Sequence, residues 1–185
     1  ENYTANLSER LKQGELDVIL ISLPFSEPGL LTRPLYDEPF VVLLPSSHPW
    51  NGLEVVAPGA LADEKVLLLG AGHCFREQVL LACPECLQGS AVNGIQRNLE
   101  GGSLETIRYM VASGIGVTVL PCTAAGAERF SERLLSIRRF AGPPPSRRVA
   151  LAWRRSFPRP EAVDLVARSV ADCSLSCVEL LSPEG

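Results

Sequence analysis

SLETIRYMVASGIGVTVLP, residues 103–121, is the stretch whose reading decides the fold. Ser103 has a side-chain oxygen suited to capping a helix, and Leu104, Ile107 and Val111 recur at the spacing of one helix face. The pattern predicts a helix within 103–114, and GVTVLP (116–121) follows as a short apolar strand. A helix that hands over to a strand after one glycine turn is the repeating unit of an α/β protein.

The same alternation extends in both directions. Leu7 and Leu11 mark a first helix that Gly14 stops, and a strand over 16–23 ends before Pro24 and Pro28. A second strand is expected over 39–45, a short helix near 58–63 and a strand at VLLLG (66–70). Residues 75–83 are helix formers ended by Pro84, and a strand is expected near 91–96. LLSIRRF (134–140) and RVALAWR (148–154) read as strands around AGPPPS (141–146), and a last helix runs from Pro160 through Cys173. The class is therefore α/β with mainly parallel sheets. LYDEP (35–39) and AGPPPS look like two crossover segments between two lobes, lobe I over 1–38 and 141–185, and lobe II over 39–140. A two-lobed chain with two crossings is usually built to close on something.

Bulk composition narrows the classes. The 185 residues are 46% hydrophobic and 21% charged, which suits one substantial core or two small lobes. A net charge of −4 leaves no dominant basic surface, so this chain alone is a poor nucleic-acid binder. Runs such as VILISL (18–23) and VVLLP (41–45) are too short to span a bilayer, and no membrane partner is expected. No leader pattern opens the sequence, and Glu1 stands just ahead of a helix, as where a larger protein has been cut.

Thiols concentrate in GHCFREQVLLACPEC, 72–86. Six cysteines, at 74, 83, 86, 122, 173 and 177, are too few for a disulfide-stapled secreted fold. The reading is a reducing, cytoplasmic compartment with most thiols free, where any disulfide is regulatory or catalytic. Several readings of the cluster stand side by side. Cys74 is an inert buried thiol, or His73, Cys74, Cys83 and Cys86 are zinc ligands, or Cys83-Pro-Glu-Cys86 is a thioredoxin-type redox pair. Cys122, Cys173 and Cys177 read as structural thiols, the last two one turn apart on a helix face. His48 in SSHPW reads as a turn residue.

The order GELDVILI (14–21), PLYDEPFVVLLPSSHPW (34–50) and SLETIRYMVASGIGVTVLP resembles the effector-binding domain of LysR-type transcriptional regulators. GHCFREQ with a second cysteine at 83 resembles that family's peroxide sensors. The resemblance implies a two-lobed, periplasmic-binding-protein-like fold, with a winged helix-turn-helix and linker helix expected in a complete protein. It implies Cys74 as the peroxide-reactive thiol and Cys83 as the resolving thiol. It places Thr4, His73, Arg76 and Glu77 at the peroxide pocket, with Glu77 where the family often has Asp, and Arg154 in support of the switch region. Cys86 is an addition to the pattern. Implied partners are hydrogen peroxide, a homodimer or homotetramer, a thiol reductant of glutaredoxin or thioredoxin type, and, through the full-length protein, promoter DNA and RNA polymerase. No cofactor, resident metal or enzymatic turnover is expected. The alternative is a LysR-type domain that binds a small organic effector between its lobes, where the Ser103 helix start meets ligand in related domains.

The residues supply chemistry for the implied role. A thiol at a helix start meets free amides and the dipole, which favour an anion, and His73 and Arg76 add donors. Attack on peroxide gives a sulfenic acid, which a second thiol condenses to a disulfide. Nine residues of helix separate Cα atoms by roughly 13.5 Å along the axis, whereas a disulfide needs about 4.4–6.8 Å. Cys74 and Cys83 cannot join while the segment stays helical, so oxidation must unwind or rebuild it.

Overall fold

A computed structural model describes residues 2–70, 73–84, 86, 99–125, 134–175 and 177–181. The chain divides into two compact units, Glu1–Glu38 with Arg147–Gly185, and Pro39–Ser146.

In the first unit, α1 (Thr4–Gln13) ends where Gly14 turns left-handed at φ 81°, and the Gly14 amide donates back to the Arg10 and Leu11 carbonyls. Only a residue without a Cβ takes that conformation freely, so the stop read at Gly14 is a true helix terminator. β1 (Val18–Leu23) pairs antiparallel with β8 (Ser146–Arg154), Val18 opposite Trp153 and Leu23 opposite Arg148. Strand alternation sorts the two faces. Ile19, Ile21, Ala150 and Ala152 pack with Leu11 of α1. Leu151 packs with Val163 and Ala167 of α4 (Pro160–Asp172) on the other side. Helices thus cover both faces of the sheet.

The second strand is longer than its apolar run. β2 extends over Leu30–Pro45, its first half polar and interrupted by Pro34. That half is held by pairing with β8 and with β9 (Glu179–Leu180), which sets Tyr36 opposite Leu180 and Asp37 opposite Glu179. Tertiary pairing here overrides weak local propensity.

In the second unit the apolar half of β2 lies between β6 (Val117–Pro121) and β7 (Leu135–Phe140), antiparallel to both. β4 (Val66–Leu69) runs parallel to β6 and to β5 (Leu99–Gly101), and β3 (Val55–Val56) runs parallel to β7. The pairing is therefore mixed, because strands next to one another in space are not next in sequence. α2 (Cys74–Ala82) and α3 (Leu104–Ala112) bury Phe75, Val79, Ile107 and Val111 in a core with Phe40, Val42 and Leu67. Phe40 meets Phe75 edge-on, centroids 5.6 Å apart.

Several elements differ from expectation. The segment near 58–63 is a 3₁₀ helix, Pro58–Asp63, and a second 3₁₀ turn, Pro49–Gly52, follows His48. His48 Nδ1 accepts from the Trp50 amide at 3.2 Å, the turn role read for it. The expected strand near 91–96 lies outside the described residues. Residues 141–145 group with the second unit, where the Ala141 amide donates to Val56 at 2.9 Å and the Phe40 amide to Pro145 at 2.8 Å. α4 stops at Asp172, and Cys173 is extended with ψ 132°. Cys173 and Cys177 therefore do not share a helix face.

Candidate redox site

The thiol site is built on α2. β4 brings the chain to the sheet end, the His73 amide donates to the Gly70 carbonyl at 3.4 Å, and Cys74 is the first helical residue. His73 is the N-cap position in extended conformation, without a side-chain cap bond. Arg76 lies one turn in, and its guanidinium donates to the Leu69 carbonyl at 2.8 Å. That bond closes the first turn of the helix onto the end of β4 and fixes a cation near the amides that open the helix. Glu77 occupies the same turn and is exposed.

The faces of α2 are sharply different. Phe75 and Val79, at i and i+4, are 9% and 1% exposed, and Cys83, four residues further, is fully buried. Cys74 is exposed. The stripe that holds the helix to the sheet thus carries the second thiol, while the first thiol lies off it. Cys83 leaves the helix at φ −137°, ψ 72°, its amide still bonded to the Val79 carbonyl at 2.7 Å, and Pro84 ends the helix as expected. No disulfide joins Cys74 to Cys83, the helical segment between them is intact, and the separation of roughly 13.5 Å estimated from helix rise applies.

The structure gathers His73, Cys74, Arg76 and Glu77 on one helical turn and places Cys83 at the other end of the same helix. Thr4 and Arg154 are in the first unit. Thr4 is half-buried as the first residue of α1, and the cap position itself is Tyr3. The Arg154 guanidinium donates to the carbonyls of Leu11 and Leu16, approaches Asp17 at 3.3 Å and stands 6.0 Å over the Phe157 ring. It ties the end of α1 to the approach to β1. Ser103 caps α3, its hydroxyl accepting from the Thr106 amide at 3.1 Å.

The remaining cysteines depart from the reading of structural thiols. Cys173 is free and exposed, its thiol donating to the Ser169 carbonyl at 3.2 Å. Cys122 and Cys177 are disulfide-bonded. Nothing local in the sequence signals this, since disulfide connectivity cannot be read from sequence alone. Cys86 is buried, like Cys83, and is not in a disulfide. Among the described residues no group of three or more His, Cys, Asp or Glu side chains is arranged to hold a metal ion. Nor is any helix among them long and apolar enough to cross a membrane.

A two-unit α/β chain with a thiol at each end of one helix defines the class. Residues 1–173 match the LysR substrate binding domain, and the chain belongs to that family. Within it, the chain is 38% identical over 172 residues to a probable hydrogen peroxide-inducible genes activator of Streptomyces viridosporus, covering 93% of this chain and 54% of that one. A reduced form of OxyR from N. meningitidis superposes with a TM-score of 0.89 at 45% identity, covering 98% of this chain and 83% of that chain. A full-length OxyR variant from Pseudomonas aeruginosa superposes with a TM-score of 0.83 at 48% identity, covering 94% and 56%. These relatives are transcriptional regulators, and the chain spans about half the length of the curated ones it matches.

Proposed function

We propose that this chain is the peroxide-sensing regulatory domain of a LysR-type transcriptional activator, with Cys74 as the reactive thiol and Cys83 as its resolving partner. One observation carries the reading. A solvent-exposed thiol opens α2, and a fully buried thiol on the apolar stripe closes it.

The Cys74 thiolate attacks one peroxide oxygen, the O–O bond breaks, and the other oxygen leaves as hydroxide and takes a proton to become water. His73 and Arg76 lie beside the helix start and supply donors to the leaving oxygen. The Cys83 sulfur then attacks the sulfenic sulfur, a second water leaves, and the disulfide closes. Because α2 holds the two sulfurs apart, closure draws Cys83 off the core and undoes the packing of Val79 and Phe75. Burying those two side chains stabilises the helix by roughly 3–6 kcal/mol. In the chain-entropy model a ten-residue disulfide loop offsets about 2.7 kcal/mol. The two states are close enough for a reversible switch. Repacking between subunits of a homo-oligomer would pass the change to the DNA-binding part and on to RNA polymerase. A thiol reductant in the cytoplasm would reset it.

Brief treatment with low-dose peroxide, followed by alkylation and peptide mapping, tests the assignment. A Cys74–Cys83 linkage is expected in the wild type and none in Cys74→Ser. Cys74 persisting as free thiol under that treatment ends the proposal.

A further inference from the structure

Cys83 has a nearer neighbour than Cys74. The Cys86 amide donates to the Cys83 carbonyl at 3.1 Å, so the two close a turn of i to i+3 type. Such a turn holds its end Cα atoms within about 7 Å, and a disulfide spans about 4.4–6.8 Å. Neither cysteine is in a disulfide, and both are buried in the core of the second unit, 0% and 1% exposed. With α2 helical, the backbone of Cys83 is therefore set for pairing with Cys86 and not for pairing with Cys74.

Resting on the peroxide-sensing reading above, we infer that Cys86 is an exchange thiol that moves the disulfide from Cys74–Cys83 to Cys83–Cys86 and so ends the signal from within the chain. The Cys86 thiolate attacks the Cys83 sulfur, the Cys74–Cys83 bond breaks, and Cys74 leaves as a thiolate and takes up the proton that Cys86 lost. One disulfide is consumed and one formed, so no further oxidant or reductant takes part. The product fits the turn already present beyond α2, which lets Phe75 and Val79 return to the core. The domain then stays oxidised by two electrons while Cys74 is again a thiol. An external thiol reductant is needed to reopen the Cys83–Cys86 pair, not to release the switch.

Trypsin separates the species, because Arg76 lies between Cys74 and the other two while no Lys or Arg lies between Cys83 and Cys86. The reduced chain is given equimolar peroxide, and samples are alkylated over time and mapped. The expected sequence is a cross-link between peptides 66–76 and 77–97, then its loss, with peptide 77–97 two hydrogens lighter and Cys74 alkylated. In Cys86→Ser, and in Cys86→Ala as a control for core polarity, the cross-link persists. A wild-type cross-link as long-lived as in both variants overturns the inference. Cys74→Ser equilibrated with oxidised glutathione separates this inference from the reading it rests on. Closure of the Cys83–Cys86 loop there supports the exchange turn even if peroxide never links Cys74 to Cys83, and a dithiol that stays open overturns it.

Discussion

α1 and α2 are helices of nearly equal length, 10 and 9 residues, held in opposite ways. α1 is closed at its C-terminus by the left-handed Gly14 and by Arg154, which occupies the Leu11 and Leu16 carbonyls. α2 has no side-chain cap at its N-terminus and no basic residue in its last turn, and Leu81 near its end is 79% exposed. What holds α2 is the apolar stripe of Phe75, Val79 and Cys83, together with one anchor from Arg76 to Leu69. Polar closure fixes a helix by bonds that must break together, whereas a stripe can be withdrawn by pulling one residue out of the core. Cys74 and Cys83, the thiols proposed for the switch, are at the two ends of the helix of the second kind.

The largest expected effect breaks the polar closure. Arg154→Ala removes charged donors from two half-buried carbonyls and is expected to destabilise the first unit by about 2–3 kcal/mol. Urea denaturation measures the loss, and hydrogen exchange locates it in the last turn of α1 while α2 amides keep their protection. Equal loss of protection in both helices refutes the contrast.

A second substitution thins the stripe. Val79→Ala leaves Cys74 and Cys83 in place and removes two buried methyl groups, a loss of about 2 kcal/mol. Since that energy belongs to the helical state, disulfide closure after peroxide should be faster than in the wild type, with the first oxidation of Cys74 unchanged. Quenched alkylation separates the two steps. An unchanged closure rate shows that unwinding of α2 is not the barrier.

The same contrast explains what could be read in advance. The Gly14 stop and the Ser103 cap are local: one backbone conformation and one hydroxyl reaching an amide three residues on, so the residues themselves announce them. The helix over 74–82 was legible because helix formers and Pro84 act over a few positions. The polar half of β2 was not, since it takes strand form only because β8 and β9 pair with this strand, β9 at Tyr36 and Asp37. Mixed strand direction depends on partners remote in sequence, which no local period encodes. For the site, the cysteine spacing pointed to α2, but the burial of Cys83 and the turn that joins it to Cys86 are properties of the packed chain.

The smallest expected effect concerns acid. Arg148 donates to both carboxylate oxygens of Asp37 at 2.7 Å, where β2 and β8 carry the chain between the two units. That hydrogen bonding, only partly opposed by burial, holds the Asp37 carboxyl below its ordinary value. A lowered folded-state pKa means that the contribution is whole above the unfolded value of about 4 and is lost as pH falls through the folded one. Arg148 is half exposed, so screening keeps the effect well under about 1 kcal/mol. Unfolding measured at about pH 5 and about pH 3 should show a larger loss in the wild type than in Arg148→Gln, with the difference shrinking in high salt. Equal losses in the two proteins would mean that the pair adds nothing. A difference confined to the first unit, with α2 exchange unmoved by acid, would extend the contrast from bonds broken by substitution to bonds broken by protons.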